Sequence, residues 1–134
     1  MPGVDDPNRV QALRQMVEQD DLVMKNISDE TMRQLLTTSK EYCVVVLKAG
    51  PKRHEPGVDD IVYEHGRRNF MLRAGGQLAI VCRINDGSDL SGVGIFTTSV
   101  EETKKIMDED PGVKAGVFVY ELHQSRSFPG DSLP

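Results

Sequence analysis

Tyr42-Cys43-Val44-Val45-Val46-Leu47 is an almost unbroken run of β-forming side chains, and a strand of that kind is buried on both faces. It therefore demands a covering layer on each side, of helices or of a second sheet. The residues that follow supply one. Ala49-Gly50-Pro51 stops the run, and residues 50–58 read as a loop. Residues 59–74 read as a helix, with Asp59 and Asp60 at its positive end, Arg67, Arg68 and Arg73 toward its negative end, and Gly75-Gly76 closing it. Residues 77–84 and 93–98 read as a hairpin across the turn-forming Asn85-Asp86-Gly87-Ser88-Asp89. Ser99-Val100-Glu101-Glu102 is a capping box, which starts a helix at Val100 that Asp110-Pro111-Gly112 ends. Residues 117–123 form a last strand, and the end from Ser127 is an irregular tail.

The order β-α-β-β-α-β is the ferredoxin-like arrangement, an α+β fold with both helices on one face of an antiparallel sheet. The last strand shows what the other face meets. Phe118, Tyr120 and Leu122 alternate toward the helices, leaving Val117, Val119, Glu121 and His123 on the open side. Valines facing bulk water would be wasteful, so this face is expected to meet a second sheet in a homodimer.

Residues 1–40 read as a helical extension, and 41–134, tail included, as the main domain. Val10, Leu13, Met16, Val17 and Asp20 keep a helical period behind the helix-start residues Asp5, Asp6 and Pro7. Ser28 is an N-cap for a second short helix with Met32, Leu35 and Leu36 as its stripe. These stripes need cover, and packing within the assembly is expected to give it.

Charge and composition exclude several classes. Sixteen basic against twenty-one acidic side chains, a net charge of −5, argue against a nucleic-acid binder. No apolar stretch approaches the ~20 residues of a membrane helix, and Met-Pro-Gly-Val-Asp-Asp has no secretory-signal character. Cys43 and Cys82 lie in apolar runs and read as buried thiols of a cytoplasmic protein. His54, His65 and His123 sit on different elements without ligand spacing, so neither metal nor cofactor is expected.

Three stretches resemble the YCII-related (YciI-like) family: Lys48-Ala49-Gly50-Pro51-Lys52, Asp110-Pro111-Gly112-Val113-Lys114-Ala115-Gly116, and Tyr120-Glu121-Leu122-His123 with the tail from Ser127 to Pro134. The resemblance covers roughly residues 41–134. It implies a dimeric α+β barrel and lyase- or isomerase-type chemistry on small molecules. It also implies a catalytic histidine on the first helix of the domain, about ten residues before the closing glycine, where His65 stands. The family pairs this histidine with an acid. Asp86-Gly87 is followed here by Ser88-Asp89 rather than Pro-Phe, so that acidic partner is not assigned.

The candidate catalytic residues are therefore His65, as acid or base, and His123 with Glu121, neighbours on one strand face where a carboxylate can orient an imidazole. Lys48 and Arg83, near strand ends, and Tyr120 are candidates to bind a substrate carboxylate or phenolate. Lys52-Arg53-His54 is a small basic cluster in the loop after the first strand, and Phe128 and Leu133 are expected to anchor the tail. The first functional reading is a small-molecule enzyme of acid–base proton transfer, working in a cavity between two facing sheets. The alternative is a non-catalytic module that binds a small molecule or a protein. A weaker third is an accessory subunit docking through its N-terminal helices.

Overall fold

A computed structural model describes residues 6–18 and 26–134, with side chains for 6–15 and 26–134. The expectations placed on Asp5 and Asp20, and on the side chains of Met16 and Val17, fall outside it. Its elements run α1 (Pro7–Glu18), α2 (Asp29–Leu36), β1 (Lys40–Ala49), α3 (Asp59–Ala74), β2 (Leu78–Arg83), β3 (Leu90–Phe96), α4 (Val100–Asp108), α5 (Pro111–Lys114) and β4 (Phe118–Ser127). The chain divides into two compact units, residues 42–125 and residues 1–41 with 126–134.

Residues 42–125 carry the ferredoxin-like βαββαβ topology. One four-stranded sheet is ordered β2-β3-β1-β4, with β3 antiparallel to both β1 and β2. β3 begins at Leu90, earlier than the sequence pattern suggests. Asp86 accepts the Ser88 amide and Gly87 takes φ +82°, which completes the turn before Leu90. Cys43, Val45 and Leu47 of β1 are buried with Leu78, Phe96, Met107 and Phe118, and Ile61, Val62 and Leu72 of α3 pack against them. Tyr120 and Leu122 also pack on this core, as their alternation requires. Val117, assigned to the open face by alternation, is instead 1% exposed. It precedes β4, where the chain is still turning: its amide bonds to the Gly112 carbonyl and its carbonyl accepts from Gly50.

Two cores of the capping argument hold. Ser99 Oγ accepts the Glu102 amide to start α4, and Ser28 Oγ accepts the Thr31 amide to start α2. The Asp110-Pro111-Gly112 stretch does more than end α4. Asp110 caps a further turn, α5, with Pro at its first position. At Gly50 the loop after β1 approaches this corner so closely that a Cβ would stand 2.4 Å from the Gly116 carbonyl oxygen.

In the other unit Val10, Leu13, Thr31 and Thr38 are buried. Arg126 donates to the Ser39 carbonyl at 2.8 Å, and Arg14 pairs with Asp131. Met32 and Leu36 are exposed rather than covered, and the expected tail anchor Leu133 is 74% exposed, whereas Phe128 is half-buried. Cys43 is buried but Cys82 is exposed; both are free thiols. Among the described residues no helix is long and apolar enough to cross a membrane.

Candidate functional site

The site is assembled from a helix that carries an imidazole and a turn that carries a carboxylate. His65 lies in the middle of α3 on its inward side, and is 9% exposed. Its ring packs against Phe118 with centroids 4.7 Å apart and planes tilted by 46°. Its Nδ1 stands 2.8 and 2.9 Å from the two carboxylate oxygens of Asp110. Asp110 is 1% exposed and also accepts the amides of Gly112, at 2.9 Å, and Val113, at 3.2 Å. Burial pushes the Asp110 carboxyl up, but the hydrogen bond and charge of His65, with the two amides, outweigh it and hold the group below the usual carboxylate range. Arg68, one turn along α3, adds a guanidinium nitrogen 3.8 Å from the same carboxylate.

An ionised Asp110 requires a donor at Nδ1, so whenever the imidazole is neutral its lone pair lies on Nε2. Asn69, the next residue on that helix face, presents its amide nitrogen 3.3 Å from Nε2. His65 lines a cavity of about 970 Å³ together with Val62, Gly66, Asn69 and Phe70 of α3. Opposite them stand Val45 and Leu47 of β1, Val81 and Arg83 of β2, and Gly92 and Gly94 of β3. Registry explains the opening. Val45 and Val81 both pair with Gly94, and Leu47 and Arg83 both pair with Gly92. Where β3 would offer two side chains to the helix, it offers none.

The cavity therefore lies between α3 and the helix-facing side of the sheet, not on the face turned from the helices. It gathers His65 and Arg83, and Arg53 and His54 of the basic loop cluster join them. It does not gather the others. Glu121 and His123 alternate with the core-packed residues of β4 and lie on the opposite sheet face, 3.3 Å apart. There Glu121 also pairs with Lys48 at 2.7 Å. Hydrogen bonding to Lys48 and then to His123 lowers the Glu121 carboxyl, and the Glu121 bond raises the Lys48 ammonium. Tyr120 donates its hydroxyl to Asp108, and burial followed by that bond pushes the phenol up to about 12.

Asp110 is the partner of His65 that the sequence pattern does not single out. Asp before Pro-Gly reads as a terminator, although the same residues signal an Asp N-cap with Pro at the first helical position. Among the described residues no group of three or more His, Cys, Asp or Glu side chains converges as a metal site.

No family model matches the chain, and no curated protein matches it significantly. Among solved structures it is similar to 5-chloro-2-hydroxyhydroquinone dehydrochlorinase from Burkholderia phenoliruptrix AC1100, in complex with 2,5-dihydroxybenzoquinone, at 16% identity and a TM-score of 0.41. That match covers 61% of this chain and 90% of the other.

Proposed function

We propose that the chain is a small-molecule enzyme of proton transfer, of isomerase or lyase type, with His65 as the acid–base group and Asp110 as its orienting partner. The observation that carries this reading is the buried Asp110–His65 pair at 2.8 Å, with the imidazole at the wall of a large cavity. His65 Nε2 takes a proton from substrate, and the imidazolium so formed is held by the Asp110 carboxylate. The proton then returns to a different atom of the same molecule, or goes to a leaving group in an elimination. Asn69 releases Nε2 as substrate arrives and donates its amide to substrate instead.

The test is proton exchange. Small carbonyl acids incubated with the protein in heavy water are expected to gain deuterium next to the carbonyl, followed by proton NMR. His65→Gln, folded by circular dichroism, is expected to slow exchange by about 10²–10⁴-fold. Equal exchange in both proteins would exclude His65 as the base.

A second reading is a non-catalytic binding module. It is favoured by the Asn69 contact, which leaves both nitrogens of His65 with partners in the absence of any ligand.

The self-association expected from the sequence is assigned to the sheet face turned away from α3. Val44 pairs with Ile95 and Val46 with Val93 on that side, all half-buried, and Val119 is 45% exposed. Lys48, Glu121 and His123 share this face and are assigned to the interface rather than to the reaction. The free thiols of Cys43 and Cys82 fit a reducing cytoplasm.

A further inference from the structure

We infer that the cavity takes a carboxylate-bearing ligand whose anionic end is held between Arg53 and Arg83, with an apolar body extending toward His65. This deepens the proposed function, on which it rests only for the identity of the reacting end.

Both arginines come to the same end of the cavity because of the topology. β1 and β2 each run antiparallel to β3, so their carboxyl ends lie at one edge of the sheet. Arg83 is the last residue of β2, level with Leu47 across Gly92. With one strand between them, β1 and β2 stand about 10 Å apart there. Arg53 enters from the loop after β1. That loop is fixed, not free. Gly50 and Lys52 donate to the carbonyls of Val117 and Gly116 at 2.8 and 2.9 Å, and Arg53 closes a turn on Gly50. The half-buried Arg53 side chain lies over Phe118, with its guanidinium carbon 5.9 Å from the ring centroid. Phe118 is the ring that packs on His65. A single aromatic ring therefore separates the cation from the imidazole.

The charge balance of the cavity favours an anion. Among the described residues neither Arg53 nor Arg83 forms an ion pair. The cavity wall otherwise carries His54, His65 and one carboxylate, Asp89, whose charge acts on Lys48. Asp110 is shielded behind His65 at 1% exposure. In a chain of net charge −5 this is a local concentration of positive charge. Arginine's planar fork matches a carboxylate in two parallel hydrogen bonds. The remaining wall, with Val45, Leu47, Val62, Val81 and Phe96, suits an apolar ring or short chain.

The probes are benzoate and benzamide, which share a ring and differ in charge. Titration calorimetry on the full chain is expected to show benzoate bound at least about tenfold more tightly, in line with a charge-assisted pair. Arg53→Gln with Arg83→Gln is expected to remove that preference and leave benzamide unchanged. Each single variant is expected to lose part of it, which keeps the test informative where the double variant folds poorly. Equal binding of the two probes by the wild-type chain would overturn the proposal, as would benzoate affinity in the folded variants that matches the wild type. His65→Gln is expected to keep the benzoate preference. Loss of proton exchange with the preference intact thus bears on the reaction alone, and loss of the preference with exchange intact bears on the anion site alone.

Discussion

Both carboxylate oxygens of Asp110 stand within 2.9 Å of one nitrogen, His65 Nδ1, while the same carboxylate caps α5. Asp110→Asn keeps the cap but removes the charge. Unfolding by urea is expected to show a loss of about 1–3 kcal/mol, and proton exchange is expected to fall by about 10²-fold or more as the imidazolium loses its counter-charge. The pH dependence has a definite sign. The folded carboxyl titrates below its ordinary 3.8, so its contribution is complete above that value and is lost as pH falls through the folded pKa. The wild type is expected to weaken over that acid range, and Asp110→Asn to lose that part of the slope.

Gly66 sits inside α3 and faces the cavity, and a Cβ placed there meets nothing within 4 Å. Gly66→Ala is expected to stabilise the fold by about 0.5–1 kcal/mol through helix propensity. Gly66→Phe is expected to fold and to block benzoate and benzamide alike, which calorimetry reads directly.

Gly112 is the tight point of the α5 corner. A Cβ there stands 2.4 Å from the Phe118 ring and 3.1 Å from Asp110 Oδ2. Gly112→Ala is expected to cost about 1–3 kcal/mol and to lower exchange activity, because it displaces both neighbours of His65. Thermal melts and the exchange assay on one sample check both.

Tyr120 titrates at about 12 in the fold against an ordinary 10.0. A raised value means that its contribution is complete below pH 10 and is lost as pH rises toward 12. Stability of the wild type is expected to drop across that alkaline window more steeply than that of Tyr120→Phe, as measured by denaturant midpoints.

Val119→Asp places a charge on the sheet face assigned to self-association. Light scattering is expected to show the mass of one chain in place of two, with the circular dichroism of the wild type. A two-chain mass in the variant would move the interface elsewhere.

The secondary elements were legible where local chemistry speaks for itself. Ser99 and Ser28 announce their helices, and Gly76 with φ +83° lies just past the end of α3. The β1 run, expected to be buried on both faces, is buried only at alternate positions, with Tyr42, Val44 and Val46 half-buried on the face turned from the helices. His65 was legible through a resemblance, not through its own neighbours in sequence. Its partner Asp110 is 45 residues away, and only the packing of α5 on α3 brings the two together. Glu121 and His123 suggested a site because they are close, yet alternation turns them away from the side where His65 lies. The cavity itself is written in Gly92 and Gly94, but a missing side chain has meaning only once strand register shows what it would have filled.

Gly92 and Gly94 also decide how this chamber can be resized by heritable change. A Cβ at Gly92 stands 2.8 Å from the Cys82 carbonyl oxygen, a backbone atom that cannot yield. At Gly94 the first contacts are the Leu78 side-chain end at 3.1 Å and the Phe96 ring at 3.4 Å. A lineage trading one ligand for a smaller one thus has an open route at position 94 and a closed one at 92. A step at 94 leaves His65 on the facing helix, and Asp110 behind it, in place.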